Sequence, residues 1–108
     1  MLIDARGCSG PLNDLEAIQD AMLQAAHAVG AQVVGKAECR YVPHGVTAVL
    51  FLAESHILVS TWPEHKTALL DVLLCNDEMD PNEVADVLLT ALGASSDKRT
   101  VVSRGVDD

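Results

Sequence analysis

Val46-Thr47-Ala48-Val49-Leu50-Phe51-Leu52-Ala53-Glu54-Ser55-His56-Ile57-Leu58-Val59-Ser60 is the stretch on which the reading of this chain turns. Two runs rich in β-branched and aliphatic residues, 46–53 and 56–60, are broken only by Glu-Ser, the pattern of two strands meeting at a short junction. Working outward, a third run, 32–41, ends before Pro43-His44-Gly45, and a fourth, 67–74, begins after Trp62-Pro63-Glu64. Pro and Gly in these breaks mark turns, so the middle of the chain reads as four successive strands. Residues 46–53 are apolar almost throughout, which predicts a central strand shielded on both faces, by helices on one side and a partner subunit on the other.

Two helices flank the strands. After Asn13 or Asp14 as cap, Leu15, Ile18, Met22, Ala25, Ala26 and Val29 recur at helical spacing until Gly30, predicting a helix over 14–29. Asp80 as cap, Pro81 at the first helical position and Glu83 closing a capping box precede Val84, Val87, Leu88 and Leu92, predicting a second helix over 81–92 that stops at Gly93. Leu2 to Ala5 in front and Thr100 to Ser103 behind read as outer strands, and Ala94 to Lys98 as a loose loop. The order β-α-β-β-β-β-α-β predicts an α+β fold: a two-layer sandwich with a mostly antiparallel sheet and both helices on one face.

The 108 residues suffice for one core and not for two, so the chain reads as a single domain, 1–108. No apolar run approaches the length of a membrane span, and the N-terminus lacks the order of a signal peptide, so the expected setting is the cytoplasm, without a membrane partner. Sixteen acidic residues against seven basic ones give a formal charge of −9, which repels phosphate backbones and argues against nucleic acid. The excess also suits a cationic small molecule. Cys8, Cys39 and Cys75 are odd in number and widely spaced, so they read as reduced thiols, with neither a disulfide framework nor a metal site. His27 on the polar side of the first helix and His44 and His65 in turns read as surface residues.

Chemistry concentrates at Ser55, whose hydroxyl follows the Glu54 carboxylate and precedes the His56 imidazole. A serine so placed can add to the preceding carbonyl, that of Glu54, to give an ester. Elimination across its Cα–Cβ bond then releases residues 1–54 and leaves a dehydroalanine that hydrolyses to a pyruvoyl group on residues 55–108. The junction is also a plausible store of backbone strain. A pyruvoyl carbonyl can form a Schiff base with a substrate amine and take up electrons as a carboxylate departs, with no external cofactor. The carbanion needs a proton donor. Cys75 closes a strand that would run beside 56–60, and a thiol suits the task.

Ala53-Glu54-Ser55-His56 with Thr61-Trp62-Pro63-Glu64 resembles the Glu-Ser-His…Thr-Trp-Pro-Glu signature of the bacterial S-adenosylmethionine decarboxylase proenzymes. Gly7-Cys8…Leu12-Asn13-Asp14 and Arg40-Tyr41-x-Pro43-x-Gly45-Val46-Thr47 are similar to further elements of that family, so the likeness spans most of the chain. It implies self-cleavage between Glu54 and Ser55, a pyruvoyl cofactor from Ser55, a role in spermidine synthesis and a homodimer of processed protomers with sites at the subunit boundary. By the same resemblance Cys75 is the proton donor, Tyr41 stands for a ring stacked on adenine, Glu64 for a carboxylate on the ribose, and Thr47 for a serine hydroxyl that assists processing. Trp62 reads equally as a substrate contact or as a structural hairpin lid.

The departures are specific. Ser60 occupies the place of a family histidine that supports processing, and a serine is no base at neutral pH; His56, Cys39 or a water on Thr47 would have to compensate. Leu74-Cys75-Asn76 replaces Thr-Cys-Gly, and Lys66-Thr67-Ala68-Leu69 replaces Gly-Tyr-Ala-Ala. A pyruvoyl-dependent ornithine or arginine decarboxylase is therefore the second reading, and a non-processing pseudoenzyme acting as a binding or regulatory partner the third.

Overall fold

Alternation with a period of two, set by the pleat of extended chain, decides which side chains leave water in this molecule. The computed structural model describes residues 1–74 and 76–104. Its strands are β1 (Leu2–Arg6), β2 (Val33–Arg40), β3 (Val46–Leu52), β4 (Ser55–Trp62), β5 (Thr67–Leu73) and β6 (Ser96–Thr100), and its helices α1 (Leu15–Ala28) and α2 (Pro81–Leu92). They form one sheet in the order β2-β3-β4-β5-β1-β6, with every adjacent pair antiparallel. The two-layer α+β architecture expected from the sequence is the one observed.

Val46, Ala48, Leu50 and Leu52 of β3 alternate inward and meet Ile57 and Val59 of β4, then Leu70 and Val72 of β5, in register. Ile3 and Ala5 of β1 continue the same face. Ile18, Met22 and Ala25 of α1 and Val84, Leu88 and Leu92 of α2 close over it as one core. Each fully buried aliphatic side chain contributes roughly 1.5–3 kcal/mol of transfer free energy, so this shared face dominates folding.

The helix ends follow their residues. Asp14 caps α1 by accepting from the Ala17 amide at 3.1 Å, and Asp80 caps α2 by accepting from the Asn82 amide at 2.9 Å. The expected capping box is not formed: the Glu83 amide bonds the Asp80 carbonyl, and no bond returns from the Glu83 side chain. Both helices finish with a left-handed glycine, Gly30 at φ +71° and Gly93 at φ +64°, and the following amides of Ala31 and Ala94 reach back to the carbonyls of Ala26 and Leu89. No helix among the described residues is long and apolar enough to cross a membrane.

Two expectations need correction. The last strand is Ser96–Thr100, where a loop was expected, and residues 101–103 lie beyond it. Its polar sequence Ser-Asp-Lys-Arg-Thr hides the strand, because an edge strand owes its place to backbone pairing with β1 and needs no buried face. Arg99 adds side-chain ties to Asn82 and Asp86 of α2. The second correction concerns 46–53: β3 is paired on both edges, yet only its helix-facing side is covered, and Phe51 is 44% exposed on the other. That open face also presents Leu2, Leu58 and Leu69.

Thr61 is a buried polar residue that ties the layers together. Its hydroxyl accepts from the Val46 amide at 3.0 Å and donates to the Leu12 carbonyl at 2.7 Å, joining β4, β3 and the loop before α1. Thr61→Val keeps the shape and strands both backbone groups; the urea midpoint should fall by the equivalent of about 1–3 kcal/mol, whereas Thr61→Ser should cost much less.

Candidate active site

Leu52 and Ser55 are cross-strand partners, so Ala53 and Glu54 alone make the turn between β3 and β4. A two-residue turn in a right-twisted hairpin calls for left-handed backbone, which glycine supplies freely. Here Glu54 supplies it, at φ +63°, against the repulsion of its own Cβ. The strained residue thus carries the carbonyl that Ser55 would attack. The turn is pinned by the Ala53 amide on the Gln32 carbonyl at 3.0 Å, and the half-buried Ser55 hydroxyl rests 3.4 Å from the Ala53 carbonyl oxygen.

Strand alternation separates Ser55 from its neighbour. Ser55 shares the parity of Ile57 and Val59, whereas His56 shares that of Leu58, Ser60 and Trp62 on the open face. There His56 Nε2 lies 3.3 Å from Asp71 Oδ2 on β5. The other Asp71 oxygen is buried without a hydrogen bond, with the Arg104 guanidinium 3.6 Å away.

The far end of β3 and β4 holds a second cluster. A cleft of about 500 Å³ is lined chiefly by Tyr41, His44, Thr47, Ser60, Trp62 and Glu64. Thr47 and Ser60 are cross-strand partners, and their hydroxyl oxygens are 2.5 Å apart; Tyr41 donates its phenol hydrogen to Thr47 Oγ1 at 3.0 Å. Three hydroxyls therefore run in a chain across this end of the sheet. Cys39 pairs with Thr47 on the neighbouring strand and is exposed.

Glu64 sits in the single 3₁₀ turn Pro63–His65 that joins β4 to β5, with Oε2 2.7 Å from His44 Nε2. Its carboxyl is held below the ordinary glutamate range by its own backbone amide first, then by the His44 hydrogen bond and charge, with His65 adding at longer range. The loop carrying His44 is closed by the Tyr41 amide on the Gly45 carbonyl and braced by the Gly45 amide on Asn13 Oδ1 at 2.8 Å.

Of the residues singled out from sequence, Tyr41, Thr47, Ser60, Trp62 and Glu64 come together. Glu54, Ser55 and His56 stand apart: Ser55 is five residues along β4 from Ser60, which at about 3.3 Å per residue is roughly 16 Å. Cys75 lies outside the described residues. His27 and His65 are exposed as expected, whereas His44 is a half-buried cleft residue that sequence reading placed on the surface. Nothing in Pro43-His44-Gly45 foretells this, because its partner is 20 positions away in another turn. Cys8 is buried, and burial pushes its thiol pKa up.

The sequence model of S-adenosylmethionine decarboxylase matches residues 1–105. The S-adenosylmethionine decarboxylase proenzyme of Caldanaerobacter subterraneus is 39% identical over 107 residues, 98% of this chain and 86% of its own length. That of Acidithiobacillus ferrooxidans is 33% identical over 109 residues, 100% of this chain and 82% of its own. The crystal structure of the adenosylmethionine decarboxylase of Aquifex aeolicus superposes with a TM-score of 0.81 at 26% identity, covering 99% of this chain and 93% of that one.

A depressed folded-state pKa means that Glu64 keeps its charge as pH falls through the ordinary carboxylate range and loses it only below. NMR titration of its side-chain carbon should show a midpoint under that of an exposed glutamate. His44→Ala should raise the midpoint only part of the way, because the backbone amide remains; full reversion would assign the effect to His44 alone.

Proposed function

The chain belongs to the S-adenosylmethionine decarboxylase family, and on that premise we propose that it decarboxylates S-adenosylmethionine with a pyruvoyl group made from its own Ser55, supplying an aminopropyl donor for polyamine synthesis. The observation that carries the self-processing step is the left-handed Glu54 placed directly before Ser55. Ser55 Oγ adds to the Glu54 carbonyl carbon as the C–N bond breaks, and the peptide becomes an ester. Removal of the Ser55 α-proton then expels the Glu54 carboxylate from Cβ, and water converts the resulting enamine to the ketone with release of ammonia.

The residues at the junction fit this chemistry: the hydroxyl is present, the preceding residue is held left-handed, and the turn is pinned from outside by the Gln32 carbonyl. Such a group offers an electron sink for the pair freed when an α-carboxylate departs. The cleft side chains bind and orient. Tyr41 and Trp62 offer aromatic faces to a nucleobase and a sulfonium, Glu64 accepts from hydroxyls, and Cys75 is assigned the proton that replaces carbon dioxide. With a serine at position 60, the base that takes the α-proton is assigned to His56, held by Asp71 on the open face; Cys39 belongs to the distant row of Thr47 and Ser60.

The distance between Ser55 and the cleft supports a homodimer. Two sheets packed through their open faces about an axis crossing the strands would lay the β3–β4 turn and the open-face His56 of one protomer over the cleft of its partner, with Ser55 beside them on the helix-facing parity. Leu2, Phe51 and Leu69, each 40% exposed or more, supply the apolar surface for that contact. The proposal includes a cytoplasmic setting, in keeping with the free thiols of Cys8 and Cys39.

Intact mass tests the processing step. The wild-type chain should split into residues 1–54 and 55–108, and Ser55→Ala should remain one 11.5 kDa species. Glu54→Gly, which removes about 1 kcal/mol of left-handed strain, should split about fivefold more slowly, while Glu54→Ala keeps the Cβ and should split at the original rate. A wild-type chain that stays whole and lacks a hydrazine-reactive carbonyl is a non-processing relative. Carbon dioxide released from ornithine or arginine, and none from S-adenosylmethionine, would reassign the substrate.

For the dimer, Leu2→Lys places a charge on the open face far from the cleft. Sedimentation should show a monomer with unchanged circular dichroism and no turnover; a fully active monomer would remove the shared site.

A further inference from the structure

We propose that His44 is a positioning residue that sets what Glu64 accepts, turning the cleft from a cation site into a hydroxyl site. This deepens the decarboxylase reading and rests on it for the substrate. Glu64 is the one carboxylate among the residues lining the cleft, and His44 the one imidazole. The two come from different turns, His44 between β2 and β3 and Glu64 between β4 and β5, and meet at 2.7 Å, the separation of a charge-assisted hydrogen bond. Neither turn is free to drift. Gly45 is braced by Asn13, and the Pro63 carbonyl takes the Lys66 amide at 3.1 Å.

One Glu64 oxygen is therefore committed to the His44 N–H, and the carboxylate plane is fixed. A neutral donor such as a ribose hydroxyl can complete the remaining acceptor positions without disturbing that bond. A guanidinium or ammonium gains most from an uncompensated charge and a free bidentate face, and must compete with the imidazole for both. Thr47 and Ser60 reinforce the preference, since they line the same cleft with hydroxyls and no second carboxylate. The altered residues around the family pattern leave the substrate side of the cleft open to either ligand class, so the discrimination falls to this pair.

The test uses the purified mature protein and two probes, adenosine as the neutral hydroxyl-bearing ligand and L-arginine as the cationic one, with affinities from calorimetry and steady-state decarboxylation run alongside. His44→Ala should weaken adenosine about tenfold and tighten arginine, reversing their ratio, with KM for S-adenosylmethionine rising and kcat little changed. His44→Gln retains an N–H donor and should restore most of the adenosine affinity. In the Glu64→Gln background, His44→Ala should have no further effect on the ratio. Equal ligand ratios in wild type and His44→Ala, a His44→Gln variant as impaired as His44→Ala, or no adenosine binding by the wild type would overturn the inference. Reversal of the ratio in a protein that releases no carbon dioxide from S-adenosylmethionine would uphold the role of His44 and defeat the decarboxylase reading; turnover with an unchanged ratio would do the opposite.

Discussion

A turn of only two residues, Ala53 and Glu54, holds the register of the central hairpin, and most of what matters in this molecule depends on it. With Leu52 opposite Ser55, the pleat sends Leu50 and Ile57, then Ala48 and Val59, to the helices, and it leaves Thr47 opposite Ser60 on the open face. A slip of one residue would exchange the two faces, exposing the core and burying the hydroxyl chain. The cost of so short a connection is borne by the backbone of Glu54. Packing of β3 and β4 against α1 and α2 holds that residue left-handed directly before Ser55. Stability and the proposed self-cleavage are in this sense two consequences of one register.

The same register divides the site. Strands place side chains on a ladder, and residues at opposite ends of a ladder cannot meet within one sheet. Ser55 stands at one end of β4; Ser60, Trp62 and Glu64 stand at the other with Tyr41, His44 and Thr47. At the junction His56 faces the open surface that bears Leu2, Phe51 and Leu69, whereas Ser55 has the helix-facing parity. At position 60, Tyr41 and Thr47 extend to the serine in a continuous chain of hydroxyls, which gives that part of the cleft a hydrogen-bonding lining.

Elements whose local pattern and tertiary role agree were legible from sequence. The helices were, because Asp14, Pro81, Gly30 and Gly93 act through the nearest turn of backbone. The four middle strands were as well, since Val, Ile and Leu alternate or run together there. β6 was not, because Ser-Asp-Lys-Arg-Thr buries nothing and is a strand only by virtue of the free edge of β1. The open side of β3 was misjudged for a related reason: an unbroken apolar run is compatible with two covered faces or with one face awaiting a partner. In the candidate site, Tyr41, Thr47 and Glu64 were singled out by their likeness to the family's motifs, whereas the His44–Glu64 contact escaped notice, being made between two turns that only the completed sheet brings side by side.

The order of elements, the helix caps and the break between the two middle strands were determined by the sequence alone, because each depends on backbone preferences within a few positions. The tertiary structure alone decided that Glu54 takes a left-handed conformation, that Ser55 is about a strand length from the cleft, and that His44 holds Glu64. Those outcomes depend on long-range pairing and packing, in which a local choice is overruled when many buried contacts outweigh the strain of a single residue.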